Sequence, residues 1–364
     1  MHSSTSSFER PIPALPWRGI AVTVAIIVCL AAAAWEIYCR AIGYAPTLND
    51  TGDLWAQVRR DVQPESVVIV GDSRPLFDLD LNELEQALGK RPVQLALAGS
   101  CAYPILADLA NEDRFHGTLI VSIVPGMFFA PGGPLLETSE KALQRYREQT
   151  WAQRASHHLG MFLEHQVAFL KQEDLTLDRL LNKLPIPNRP QAQVPPTLPP
   201  YFQWVDPDRR VRMTEQCAQP GELQTRVQQI WPPLFTPPPP PSHVPREVFA
   251  EQMGKAVEAR FRDTAAAVEK LRARGGKIVF VRFPVTGELK ALEDRLNPRS
   301  REWDRLLKET AAPGIYFEDF PELAGFNCPE WSHLSAGDSV EFTKRLVPHL
   351  RNALQLDAVA GRSP

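Results

Sequence analysis

The chain has no surplus of charge of either sign: 40 Lys+Arg stand against 43 Asp+Glu, a net charge of −3 over 364 residues. A surface so balanced has no basic field to gather phosphates, which excludes nucleic acid as an expected partner. Cysteine is scarce as well. Of five in all, Cys29 and Cys39 belong to an N-terminal apolar segment, leaving Cys101, Cys217 and Cys328, so cysteine usage does not settle the redox compartment.

Proline is the residue in excess, 35 of 364, close to twice the usual ~5%. A hydrophobic content of 44% argues against disorder throughout, so the prolines must be concentrated somewhere. Seventeen fall between Pro185 and Pro245, including the unbroken run Pro237–Pro241. Each ring removes a backbone donor and clashes with the preceding turn. The segment therefore reads as polyproline II and turns without a helix, a wrapped or loosely ordered insertion. The run could dock in an aromatic groove, but a spacer is the simpler reading.

Between Arg18 and Glu36 lie 17 uncharged residues, and apolar character resumes around Arg40 as far as Tyr44. A helix of this length covers most of a ~30 Å hydrocarbon core, with Trp17, Trp35, Tyr38 and Tyr44 as interfacial anchors. A cleaved signal peptide is the alternative, with Ala32, Ala33 and Ala34 at the cleavage site; the length of the apolar run favours a retained anchor. Arg10 and Arg18 precede the span while Arg40, Arg59 and Arg60 follow it, so the charge count does not orient it. A short tail most simply stays in the cytosol, which places the rest in the periplasm or outside.

Beyond the span the pattern alternates short apolar strands with helices. Val67–Val70, Val93–Leu97, Leu119–Val124, Ile278–Phe283 and Ile315–Phe317 read as strands, β-branched and apolar enough to be covered on both faces. Asp80 and Glu83 form a capping box for a helix that Gly89 closes. Phe249, Met253, Val257, Phe261, Val268 and Leu271 make the core stripe of a long helix ended by Gly275 and Gly276. The fold class is α/β, a five-stranded open parallel sheet wound on both faces. The expected divisions are a tail (1–18), an anchor (19–44), the first half of the domain (45–130), a helical and Pro-rich insertion (131–245), the second half (246–352) and a tail (353–364).

In such sheets ligands bind beyond the C-terminal ends of the strands. Gly71-Asp72-Ser73 follows the first strand and presents a serine as both nucleophile and amide donor. Glu330-Trp331-Ser332-His333-Leu334 follows the fifth; its carboxylate can fold back to one ring nitrogen while the other faces a serine. Ala98-Gly99-Ser100-Cys101 follows the second, and its glycine lets a backbone N–H approach a ligand. Singly, each is also explained by an ordinary turn or cap.

Together, in this order, the three motifs resemble the SGNH/GDSL hydrolase superfamily, over about residues 64–130 and 246–352. The resemblance implies a flavodoxin-like three-layer fold with Ser73 as nucleophile and His333 as base. It puts Glu330 in an aspartate's place and makes the N–H groups of Ser73 and Gly99 the oxyanion hole. No cofactor or metal is implied. Two departures stand out: glutamate replaces aspartate, and the asparagine that often follows strand three is absent from Ser122–Phe129. A lost oxyanion donor costs about 10²–10³ in rate elsewhere. Membrane-anchored relatives that move acyl groups onto envelope polymers, as in alginate acetylation and D-alanylation, tolerate the loss, and this chain looks most like that branch. The implied activity is a serine esterase or O-acyltransferase, O-acetyl first, on cell-envelope or exopolysaccharide carbohydrate or an acyl ester, with a membrane-bound acyl-donor protein as candidate partner. The alternative is a catalytically inactive envelope protein that binds polysaccharide or a membrane acyltransferase.

Arg74, Ser100, Arg282 and Trp331 are candidates to line the substrate side, the arginines replacing the asparagine or holding an anionic donor. A salt bridge of either arginine with Asp72, Asp78 or Asp319 is an equal reading. His157, His158 and His165 could suggest a metal. Leu159, Leu163, Val167 and Leu170 instead define the expected buried stripe of their helix and put the histidines on its wet flank. A Cys101–Cys328 disulfide is conceivable if both loops line one cleft; buried free thiols are the default.

Overall fold

In the computed structural model, which describes residues 15–182, 184, 196–237, 239–241 and 243–356, the run Val67–Val70 forms β1 and all four side chains are buried. Successive side chains of a strand point to opposite faces, so this burial requires both faces of the sheet to be covered. The other strands are β2 (Val93–Gln94), β3 (Thr118–Ser122), β4 (Gln203–Val205), β5 (Val211–Met213), β6 (Lys277–Arg282) and β7 (Gly314–Tyr316). Five of them form one sheet of order β2-β1-β3-β6-β7 in which every pairing is parallel. All five expected strands are present. The second is regular over only two residues, yet Leu95 and Leu97 extend its ladder by donating N–H groups to Ile69 O and Gly71 O at 2.9 Å.

The helices Tyr103–Asn111, Arg246–Ala273 and Arg299–Thr310 pack together as one group, while Ala336–Ala353 packs on Arg74–Asp78 and Leu81–Leu88. The stripe expected on the long helix is buried at Phe261, Val268 and Leu271 and only half-buried at Phe249, Met253 and Val257. Asp80 caps its helix by accepting the N–H groups of Asn82 and Glu83, and Gly89 closes it in the left-handed conformation. The reciprocal half of the expected box is replaced: the Asp80 N–H donates to Thr343 Oγ1, 2.9 Å away.

The Pro-rich insertion departs from expectation. Residues 185–195, the start of its polyproline reading, lie outside the described residues, as does Pro238 within the proline run. Residues 201–219 contain a single proline, Pro207, and there β4 and β5 pair as an antiparallel hairpin. The hairpin is welded to the domain rather than loosely wrapped. Arg209, fully buried, donates to both Asp50 carboxylate oxygens (2.6 and 2.7 Å) and to Gln94 O (2.9 Å). A helix, Glu222–Phe235, also runs through Pro232 and Pro233. Both rings fall in its last turn, where only the bonds to the Gln228 and Gln229 carbonyls are lost, and burial of Val227, Ile230 and Trp231 holds the helix in place.

The stretch expected to be helical from about Glu137 to Leu184 carries the helices Pro134–Glu148, Trp151–Glu164 and Leu177–Asn182, broken between Glu164 and Leu177 by turns and one short 3-10 segment. In the second, the expected buried stripe fails at Leu159 and Leu163, which are exposed, while Val167 and Leu170 lie past the helix end and are half-buried; His158 and His165 are exposed as expected, and His157 is half-buried. Near the N-terminus, the helix Trp17–Ala41 is long and apolar enough to cross a membrane, and its apolar window is nowhere buried against the protein.

Candidate active site

The turn after β1 is built around Gly71. A Cβ there would lie 2.5 Å from the Ser122 Cβ and 2.7 Å from the Pro75 Cγ, so only glycine lets the chain pass between them. The side chain of Asp72 then fixes the turn: one oxygen accepts the Arg74 N–H (2.8 Å) and the other the Ser122 hydroxyl (2.9 Å). Ser73 follows as the N-cap of the helix Arg74–Asp78, half-buried, with its carbonyl accepting the N–H groups of Leu76 and Phe77.

Its hydroxyl meets the loop that precedes the last helix. Ser73 Oγ lies 2.8 Å from His333 Nε2, and His333 Nδ1 lies 2.9 Å from Glu330 Oε1. A carboxylate only accepts, so Nδ1 carries the proton and Nε2 accepts from the serine. The same Glu330 oxygen also accepts the backbone N–H of His333, at 2.6 Å. The longer side chain that glutamate brings is thus folded back and held at two points. The turn between them passes through Trp331 at φ 79°, a left-handed conformation unusual for a bulky residue. Its indole stacks against Gly287, where a Cβ would come within 2.4 Å of the ring. Thr286 secures the loop: its N–H donates to Trp331 O (2.9 Å), and its hydroxyl donates to Cys328 O (3.1 Å).

Glu330 and His333 are almost wholly removed from solvent, at 0% and 1% exposure. Aromatic rings enclose the imidazole: Phe77 at 4.4 Å between centroids, Trp231 at 5.7 Å and Phe202 at 6.1 Å. The last two belong to the Pro-rich insertion. Trp231 also donates its indole N–H to the second Glu330 oxygen and to the Glu330 carbonyl. Nothing in the local sequence marked this residue, because the pairing joins positions 99 apart.

Gly99 lies in the turn that follows the strand next to β1: Leu97 donates to Gly71 O at 2.9 Å, so the turns that carry Gly99 and Ser73 leave the same end of neighbouring parallel strands. Gly99 has φ +63°, which glycine adopts without strain. Among the described residues, neither the Ser73 nor the Gly99 N–H is used in an intramolecular hydrogen bond.

Three substrate-lining candidates take other roles. Ser100 is buried and donates to Leu97 O at 2.9 Å. Arg74 and Arg282 are also buried, at 1% and 3% exposure, and both pair with Glu293. The salt-bridge reading holds for both arginines, but with a partner that none of the three expected acids supplies. The reason is desolvation: a guanidinium taken from water needs a counter-charge in contact, and the helix Gly287–Leu296 delivers one from beneath the turn. Burial alone would raise the Glu293 pKa, but the two guanidiniums override it and hold the carboxyl down to about 2. Trp331 remains half-buried beside His333.

A second acid was not anticipated here. Asp78, fully buried, accepts the Leu334 N–H at 2.8 Å and so fixes the residue next to the histidine. Burial, reinforced by the nearby Glu330 charge, pushes its pKa well above the ordinary carboxyl value. Its other oxygen has no partner among the described residues. Cys101 and Cys328 are separate buried free thiols, the first donating to Phe128 O and the second bonded through its N–H to Thr286. Among the described residues no group of three or more His, Cys, Asp or Glu side chains is placed to hold a metal.

No protein-family model matches the chain, and no curated protein matches it.

Proposed function

We propose that this protein is a membrane-anchored serine esterase or O-acyltransferase of the SGNH/GDSL type, moving an acyl group, acetyl first, to a cell-envelope carbohydrate hydroxyl or to water. The observation that carries the reading is the relay of Ser73 Oγ, His333 and Glu330, with contacts of 2.8 and 2.9 Å. A decayed binding site would let these side chains point apart. The strand order, with the hairpin set aside, is that of the flavodoxin-like three-layer class, which further supports the family resemblance.

In the proposed reaction Ser73 Oγ attacks the acyl carbonyl while its proton passes to His333 Nε2. Glu330 stabilises the imidazolium so formed. The tetrahedral oxyanion is met by the N–H groups of Ser73 and Gly99. Collapse expels the donor alcohol, which takes the proton from His333 and leaves an acyl ester on Ser73. A carbohydrate hydroxyl or water then gives its proton to His333, attacks the ester, and Ser73 leaves with that proton restored. The anchor Trp17–Ala41 would hold the catalytic domain on the periplasmic or outer face of the cytoplasmic membrane, within reach of envelope polymers and of a membrane-bound acyl-donor protein.

The test is turnover of p-nitrophenyl acetate by the full chain in detergent. Activity should disappear in Ser73→Ala; equal rates in the two proteins would overturn the proposal.

A further inference from the structure

The helix Trp151–Glu164 is amphipathic in the wrong sense for a water-soluble surface. Trp151, Leu159, Phe162 and Leu163 are 82%, 62%, 62% and 45% exposed, and none of the helix's residues is fully buried. With Ala155, also exposed, they recur every three or four residues and so form one stripe. The flank turned to the protein is mostly polar: Gln153, His157 and Glu164 line a cleft with Asp53 and Arg145, and Met161 alone of its larger apolar side chains packs on the core.

Contacts with the N-terminal helix set the level of this stripe. Residues Gly19–Trp35 are uncharged, and Glu36 is the first ionisable group after them. Its carboxylate accepts the N–H groups of Ala168 (2.8 and 2.9 Å) and Phe169 (3.2 Å), while Arg40 pairs with Glu36 and donates to Gln166 O at 3.1 Å. The charged end of a membrane span lies among the headgroups, where Trp35 and Tyr38, stacked at 5.4 Å, are also suited to sit. Residues 166–169 are therefore at headgroup level. Leu163 and Phe162 precede Gln166 by three and four residues, an axial distance of about 6 Å or less. Between them and the anchor contact opens a groove of about 380 Å³ lined by Leu163, Phe169, Leu170 and Leu175. Arg154 covers the Trp151 ring at 4.9 Å.

We infer that the outward face of Trp151–Glu164 lies in the lipid of the membrane that holds the anchor, so that the domain is seated on the bilayer at two elements. This rests on Trp17–Ala41 being a membrane span. The occupant is lipid because the bonds of Glu36 and Arg40 to residues 166–169 hold the C-terminal end of the stripe beside the charged end of the span.

The test is site-directed spin labelling of the full chain, in a Cys29→Ser background, reconstituted in phosphatidylcholine/phosphatidylglycerol vesicles. Nitroxides on Leu159→Cys and Phe162→Cys should be accessible to oxygen and several-fold less accessible to a water-soluble nickel chelate than one on Lys344→Cys. Chelate access equal to that at Lys344→Cys would overturn the inference. Exclusion of both reagents, the signature of a protein neighbour, would overturn it too. A label on Val24→Cys separates the two levels. If it is lipid-exposed while positions 159 and 162 are wet, only this inference fails; if it is wet as well, the anchor itself fails.

Discussion

Replacing Trp231 by phenylalanine should damage catalysis from a position whose indole N–H bonds to Glu330 and whose ring packs edge-on against the His333 imidazole. The two Glu330 oxygens divide their partners: Oε1 accepts both bonds from His333, and Oε2 accepts only the Trp231 indole N–H. Phenylalanine keeps most of the packing and removes that donor. At 0% exposure of Glu330, water has no ready path to replace it. An unsatisfied buried acceptor costs about 1–3 kcal/mol. If roughly 1.4 kcal/mol of this appears in the barrier, kcat falls about tenfold, with KM little changed because the indole is bonded to the carboxylate.

The assay is p-nitrophenyl acetate hydrolysis at saturating substrate, alone and in a Glu330→Ala background. In that background Trp231→Phe should have little further effect. Val227→Ala, a packing lesion in the same helix, should lower stability and leave kcat near wild type. An unchanged kcat in Trp231→Phe, or the same loss with Glu330 already gone, would refute the reasoning.

Glu293→Ala leaves two buried guanidiniums without a counter-charge, a loss of about 3–5 kcal/mol, so the melting temperature in detergent should drop by roughly 10 °C; an unchanged value contradicts the buried trio. The Glu293 carboxyl is held down from 4.5 to about 2, so its stabilisation is complete above pH 4.5 and lost as pH falls toward 2. Part of the wild-type acid sensitivity in that window should therefore vanish in Glu293→Ala. Asp78 has the opposite sign: above its ordinary value of 3.8 the unfolded chain gives up the proton while the folded one keeps it. Stability should thus fall as pH rises from there. Asp78→Asn keeps an acceptor for the Leu334 N–H and should flatten this fall, with a melting temperature at neutral pH equal to or above wild type; an unchanged slope would contradict the assignment.

The strands were legible because a parallel sheet covered on both faces needs continuous apolar runs, and Val67–Val70 or Ile278–Phe283 can hardly be anything else. The relay was legible for a related reason. Residues directly after such strands share one edge of the sheet, so Ser73 could be set there before any coordinates, and the short Glu330-to-His333 spacing carries its own geometry. What stayed hidden depends on long-range pairing. Glu293 meets Arg74 across 219 positions, and Trp231 meets Glu330 across 99. Proline count obscured the insertion as well, since all but Pro207 of its prolines lie outside the hairpin, and Pro232 and Pro233 fall in the last turn of the helix that carries Trp231. Periodicity locates an apolar stripe without saying what it faces, which is why Leu159 and Leu163 were assigned to the interior.

The most direct measurement is of the acyl-enzyme itself. After brief incubation of the full chain with p-nitrophenyl acetate and acid quenching, peptide mass spectrometry should find one acetyl group on Ser73. It should accumulate when His333→Ala slows deacylation more than acylation, and be absent from Ser73→Ala. Acetylation confined to other residues, or none at Ser73 under conditions of turnover, would contradict the account.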